Sequence, residues 1–130
     1  MFSHMMIGSS DINRSKQFYD ATLAVLGAGE PMPHINSTGQ QRYFYIHGGS
    51  TFCLTEPING QPASPSNGTT IGFACNSLEQ VEELHAVALA NGGVSVEGPP
   101  GPREGDTGVI NLCYFLDPDG HKICGLHRPT

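Results

Sequence analysis

The sequence predicts an α+β fold made of two tandem βαβββ modules, and three observations carry that expectation. A helical periodicity occurs twice at one offset: a shift of 66 residues lays Ile12 on Leu78, Phe18 on Leu84, Leu23 on Leu89 and Gly27 on Gly93 without a gap. A second shift, of 71, lays Gly49 on Gly120, Phe52 on Ile123 and Cys53 on Cys124, so the β-rich ends of the two segments repeat as well. Between the copies, residues 57–67 hold three prolines with several Ser, Asn and Gly, the composition of a surface connection. A module this small cannot cover the open face of its own short sheet. Two copies are therefore expected to pack about a local two-fold and leave a shared cleft.

The elements follow in order. Residues 4–8 are a short apolar run that stops at Ser9-Ser10-Asp11, whose side-chain oxygens suit a helix N-cap, so a strand followed by a helix is expected. In that helix Ile12, Ser15, Phe18, Tyr19, Thr22, Leu23 and Leu26 fall at three- and four-residue spacings, and Gly27 ends it. Residues 29–41 carry Pro31, Pro33 and Gly39 and read mostly as loop, with one short strand near 30–32. The β-rich runs 43–46 and 51–55 flank His47-Gly48-Gly49-Ser50, which suits a hairpin turn.

The second copy starts with a strand over 69–75. Ser77 followed by Gln80 forms a capping box, opening a helix with Leu78, Val81, Leu84, Ala88 and Leu89 on one face, and Asn91-Gly92-Gly93 closes it. A short strand at 94–97, a Pro/Gly-rich loop at 98–108 and a longer strand at 109–116 follow. Asp117-Pro118-Asp119-Gly120 turns the chain into a last strand at 121–127, Pro fixing one dihedral and Gly supplying a positive φ. Module one is thus expected over about 1–57, a linker over about 58–68 and module two over about 69–130, within one domain of 130 residues.

Charge and cysteine usage narrow the function. With 6 Lys+Arg against 12 Asp+Glu the net charge is −6, and no basic run is present. Nucleic acid and anionic membrane surfaces both require clustered cations, so the expected partner is a small molecule. Residues 1–7 lack the basic n-region and long apolar stretch of a signal peptide, and no segment nears the ~20 apolar residues of a membrane span; a cytoplasmic protein is expected. Cys53, Cys75, Cys113 and Cys124 show no CxxC spacing, which argues against a zinc ribbon or a thioredoxin-type motif.

The run from His4-Met5-Met6-Ile7-Gly8 through Phe18-Tyr19 resembles the first strand and helix of the vicinal oxygen chelate superfamily. That superfamily includes glyoxalase I, bleomycin-resistance proteins, fosfomycin-resistance enzymes and extradiol dioxygenases. Asp117-Pro118-Asp119-Gly120-His121-Lys122-Ile123 resembles its closing hairpin, and the likeness spans nearly the whole chain. The resemblance implies paired modules forming a half-open barrel, a homodimer, and a ligand site in the concave sheet. In metal-dependent members it also implies a divalent ion held by inward side chains of the first and last strands of each module.

The matching positions are His4, Cys53, Thr70 and Cys124, and only His4 is a typical ligand; Thr70 stands where a His is expected and Cys124 where a Glu is expected. A neutral hydroxyl and a thiol serve a divalent oxygen-chelating ion poorly. The reading that follows is a glyoxalase/bleomycin-resistance-like small-molecule binder with a degenerate metal site and no cofactor assigned, a divalent metal being left open. The alternative is a metal-dependent lyase or dioxygenase with a rewritten set, in which His4, Cys53 and Cys124 would suit zinc. A third option treats Cys124 as a nucleophile with His4 or His127 as base. Strand alternation places His4, Met6 and Gly8, with Thr70, Gly72 and Ala74, towards the cleft, and Met5, Ile7, Ile71, Phe73 and Cys75 beneath the helices. The candidate ligand-binding residues are therefore His4, Met6, Cys53, Thr70 and Cys124, with Arg42 and Arg103 as the cations nearest the mouth and His34 and His47 as solvated loop residues.

Overall fold

The computed structural model of the chain describes residues 1–129; Thr130, with which the second module was expected to end, lies outside the described residues. The first half runs β1 (Met5–Gly8), α1 (Ile12–Val25), β2 (Met32–Ile35), β3 (Gln41–His47) and β4 (Ser50–Thr55). The second runs β5 (Ile71–Ala74), α2 (Leu78–Ala90), β6 (Val94–Ser95), β7 (Gly101–Gly105), β8 (Gly108–Leu116) and β9 (Lys122–His127). The first sheet has the order β1-β4-β3-β2; the second has β5-β9-β8-β6, with β7 also paired to β8. Among the described residues the two sheets stay separate and no barrel closes.

Pairing carries the sequence repeat into three dimensions. β1 lies parallel to β4 with Met6 opposite Cys53, and β5 lies parallel to β9 with Gly72 opposite Cys124. The offsets from Met6 to Gly72 and from Cys53 to Cys124 are the two shifts read from the sequence, 66 and 71. The register is therefore the same in both halves.

Both helices begin and end by one mechanism. The Asp11 carboxylate accepts from Arg14 N, and Ser77 Oγ accepts from Gln80 N, each satisfying an orphan amide of the first turn. Gln80 also accepts from Asn76 N and donates to Val25 O, tying the start of α2 to the end of α1. At the other end, Ala28 N donates to Leu23 O and Gly27 N to Ala24 O; in α2, Gly93 N donates to Ala88 O and Gly92 N to Leu89 O. These are Schellman closures, which need a left-handed residue one position past the cap. Gly27 (φ 95°) and Gly92 (φ 99°) hold that position. The sequence match of Gly27 with Gly93 is thus one residue off at this end, because α2 is shorter by one residue than α1. Leu89, expected on the buried face, is exposed, whereas Ala88 is buried, like its counterpart Thr22.

Two further expectations are corrected. The Pro/Gly-rich stretch 98–108 is not all loop: Gly101–Gly105 forms an edge strand, with Arg103 opposite Ile110. Its residues have little intrinsic strand preference; hairpin closure onto β8 imposes the conformation, and an edge tolerates Pro102. The strand at 94–97 is cut to two residues, since Glu97 turns to φ 58°.

The core lies on the helix side of both sheets. Ile7, Tyr45, Phe52 and Leu54 of the first half and Ile71, Cys75, Cys113, Phe115 and Ile123 of the second meet Phe18, Tyr19, Val81 and Leu84. Phe52 meets Phe73 edge-on at 5.3 Å between ring centroids, and Phe18 meets Phe115 at 6.0 Å, so the two halves share one interior. Of the strand residues expected beneath the helices, Ile7, Ile71, Phe73 and Cys75 join the core, whereas Met5 at the sheet edge is 38% exposed.

A polar seam fastens the β8–β9 turn to the first module. Buried Tyr19 donates through its hydroxyl to Asp117 Oδ2 at 2.6 Å, while Asp117 Oδ1 accepts from the backbone N–H of Asp119 and of His121, each at 2.9 Å. A relay of donors runs from Ser9 Oγ to Ser15 Oγ to Asp119 Oδ2, and Ser10 N and Arg14 reach Asp119 Oδ1. His121 Nε2 donates to Gly8 O at 2.8 Å. The Asp-Pro-Asp-Gly-His signature thereby acts as an inter-module clasp.

Candidate functional site

Side chains on paired strands share a face, so the positions of Tyr43, Tyr45 and Leu54 in or against the core fix what lies on the other side. That open face of the first sheet carries Met6, Cys53, Phe44 and Met32 in one row across β1, β4, β3 and β2, and Gly8, Thr55, Arg42 and His34 in the next. Met32 is 54% exposed and Ile46, on the same face, 64%. No helix covers these groups, because α1 occupies the opposite side. The linker walls one end: a Cβ on Gly8 would lie 3.1 Å from Ala63 Cβ and 3.6 Å from Pro57 Cγ.

The second sheet has a corresponding open face with Gly72, Cys124 and Tyr114 in one row and Lys122 beside Leu116. Its cation is neutralised: Lys122 pairs with Glu97 and lies over the Tyr114 ring.

The expected site residues fall on these faces. His4 and Thr70 each stand one residue before their strands, are exposed, and together line a pocket of about 310 Å³ at the seam between the sheets with Met5, Phe52 and Ile71. His4 Nδ1 is hydrogen-bonded to Ser3 Oγ. Met6, half-buried, and Cys53, fully buried, sit on the first open face. Cys124 is buried on the second, its thiol donating to Gly125 O. Among the described residues no three His, Cys, Asp or Glu side chains converge, so His4, Cys53 and Cys124 do not meet within one chain.

The donor chemistry also departs from what a divalent ion needs. Thiol ligands bind as thiolates, and burial pushes both the Cys53 and Cys124 thiols up, away from that form. Nearby positive charge opposes the rise only in part, from Arg42 at Cys53 and from Lys122 at Cys124, where the Tyr114 hydroxyl also helps. Thr70 offers a neutral hydroxyl. This set does not fit the metal implied by the resemblance. The raised thiol of Cys124 equally disfavours a nucleophile.

Other groups settle into structural tasks. Arg103 is no cation at the mouth, because it wraps the carbonyls of Glu97, Pro99, Gly101 and Pro102. His127 pairs with Asn111, and buried His85, its pKa lowered by burial, pairs with Ser95. His34 is not a loop residue: it lies in β2, opposite Arg42, with its ring 5.6 Å from Phe44. The sequence reading did not single out Met32, Phe44 and Ile46 as site residues. In residues 43–46 bulky apolar side chains point both ways, so alternation carries no contrast; the only usable signal was Arg42, a charge within the run.

The Glyoxalase/Bleomycin resistance protein/Dioxygenase superfamily model matches residues 1–124. The chain belongs to this superfamily. Among solved structures it is similar to a glyoxalase/bleomycin resistance protein from Albidiferax ferrireducens T118, at 52% identity and TM-score 0.88 over 98% of this chain and 99% of that one. It shares the fold of a glyoxalase-related enzyme from Fulvimarina pelagi, at 18% identity and TM-score 0.73, covering 99% and 88%. It likewise shares the fold of a mutant of the fosfomycin resistance protein FosX from Listeria monocytogenes, complexed with Mn(II) and 1S,2S-dihydroxypropylphosphonic acid, at 20% identity and TM-score 0.67, covering 98% and 91%. No curated protein matches the chain. Within the superfamily architecture, no helix among the described residues is long and apolar enough to cross a membrane.

Proposed function

We propose that this superfamily member binds a small molecule on the open face of its sheets and does so without a divalent ion. The observation that carries the reading is the helix-free apolar row Met6, Cys53, Phe44 and Met32, buried at Cys53, half-buried at Met6 and Phe44 and exposed at Met32, with exposed Ile46 beside it. Concave apolar surfaces with a few placed polar groups are how proteins hold small ligands, and solvated apolar groups of this size are costly without a use. His4 and Thr70 border this surface at the seam, and Cys53 and Cys124 contribute packing and shape in place of metal ligation. Residues 1–57 and 69–130 act as the two halves, joined by 58–68, and a homodimer would set open faces of two chains against one another.

Elemental analysis of protein purified without an affinity tag tests the metal-free part, followed by melting curves with added zinc, nickel, manganese and iron. The expected result is metal well below one ion per chain and no shift in melting. About one ion per chain, lost in His4→Ala, would overturn it and favour a metal-dependent lyase or dioxygenase. Sedimentation velocity reads the homodimer.

A further inference from the structure

The charges on the two open faces differ in a way that specifies the ligand. The chain has 6 Lys+Arg, and most are committed elsewhere. Arg14 pairs with Asp119, Lys16 with Asp20 and Glu30, and Lys122 with Glu97, while Arg103 is engaged by loop carbonyls. Arg128 lies past the end of β9 and is exposed. Arg42 alone is a half-buried cation on a strand face beside an apolar row: its Nε donates to Thr55 Oγ1 at 3.1 Å, and among the described residues no carboxylate lies within salt-bridge distance. None of the 12 Asp+Glu lies within the strands of the first sheet, and the carboxylate beside its end, Glu56, accepts from Gln41 N, although the chain is acidic as a whole. His34 stands directly opposite Arg42, adding an imidazole that can hydrogen-bond, and Phe44 occupies the next row.

A guanidinium held by one nitrogen at a fixed point on a strand keeps its terminal N–H groups for two oxygens of one anion, a carboxylate or two of the three oxygens of a sulfonate, and its fork matches such a pair better than an ammonium would. On a water-exposed helix such an arginine would be unremarkable. Here it stands half-buried on a strand beside an apolar row, where a bound anion would lose part of its water and gain a stronger attraction.

We infer that Arg42 forms an anion subsite beside the apolar row, so that the ligand class is a small molecule with an apolar body and one acidic group, a carboxylate or sulfonate. The inference rests on the proposed small-molecule reading and narrows it to the first sheet. Thr55 positions the guanidinium and Phe44 with Met6 and Met32 takes the apolar body.

The test is a fluorescence titration of the full untagged chain with anilinonaphthalene sulfonate and with N-phenylnaphthylamine, the same ring system without the sulfonate. Charge-assisted bidentate contacts at a partly buried site are worth about tenfold or more in affinity, so the sulfonate probe is expected to bind at least that much more tightly. Arg42→Gln should erase the advantage while leaving the uncharged probe within about twofold, and Arg128→Gln, the same change in net charge, should preserve it. Raising salt on the unmodified chain gives the same reading should Arg42→Gln fold poorly: only the sulfonate probe should weaken. Equal binding of both probes, or an Arg42→Gln chain that retains the preference, overturns the anion subsite and leaves the small-molecule reading standing. Failure of both probes to bind overturns both.

Discussion

Replacing Tyr19 by Phe removes one hydroxyl from the clasp between the modules, and the cost can be worked from its surroundings. Tyr19 is fully buried and its hydroxyl donates at 2.6 Å to Asp117, itself 4% exposed. In the variant Asp117 Oδ2 keeps no protein donor, since the two backbone N–H groups serve Oδ1. Hydrogen bonds to charged groups contribute about 1.5–3 kcal/mol, and at this chain length each kcal/mol moves the midpoint by about 4 °C, so melting should fall by roughly 6–12 °C. The pH dependence follows from the carboxyl. Burial raises the Asp117 pKa above its ordinary value, and the Tyr19 hydroxyl is the largest influence pulling it back. A carboxyl raised in the folded state binds its proton more tightly there than in the unfolded chain, so stability is lost as pH rises through that interval. Without the hydroxyl the pKa rises further, and the interval widens. Thermal melts by circular dichroism at fixed protein concentration should therefore show a gap between the two proteins that grows from acid to neutral pH. A loss under about 1 °C at neutral pH, or a gap that shrinks as pH rises, would refute the clasp.

Three further outcomes are expected. Gly125→Ala should destabilise by about 1–3 kcal/mol in urea titrations, because its Cβ would stand 2.8 Å from Leu84 Cδ2 and 2.9 Å from Cys113 Sγ. Gly72→Ala, on the open face with nothing within 4 Å, should stay within about 0.5 kcal/mol. The four thiols, all buried and with Cys75 pushed up to about 11 and Cys113 to about 12 by burial, should react with a disulfide reagent at mildly alkaline pH only after unfolding; rapid labelling of Cys124 in the folded chain would restore a nucleophilic role.

The fold was legible because its signals are local and repeated. Asp11 and Ser77 cap helices by short-range hydrogen bonding, Gly27 closes one by its φ, and Cys53 and Cys124 recur at equivalent registers. What the sequence left hidden depends on pairing between segments. Strand β7 exists because β8 receives it, and His34 leaves the loop class because β3 pairs with it. The slip at Gly92 reflects a helix one residue shorter, which a gapless match cannot register. For the site, residue type marked His4, Cys53, Thr70 and Cys124, yet the surface proposed to take a ligand is defined by Met32, Arg42, Phe44 and Ile46. Arg42 is marked by its charge alone, while Met32, Phe44 and Ile46 read as ordinary strand formers until the opposite face is seen to be filled by Tyr43 and Tyr45.

Backbone amide chemical shifts, followed as anilinonaphthalene sulfonate is added to isotope-labelled protein, test the ligand surface most directly. Saturable changes should concentrate at Met6, at residues 42–46 and at residues 51–55, with Arg42 among the largest. Changes centred on α1, on α2 or on the second sheet, with residues 42–46 unmoved, would place the binding surface elsewhere and contradict it.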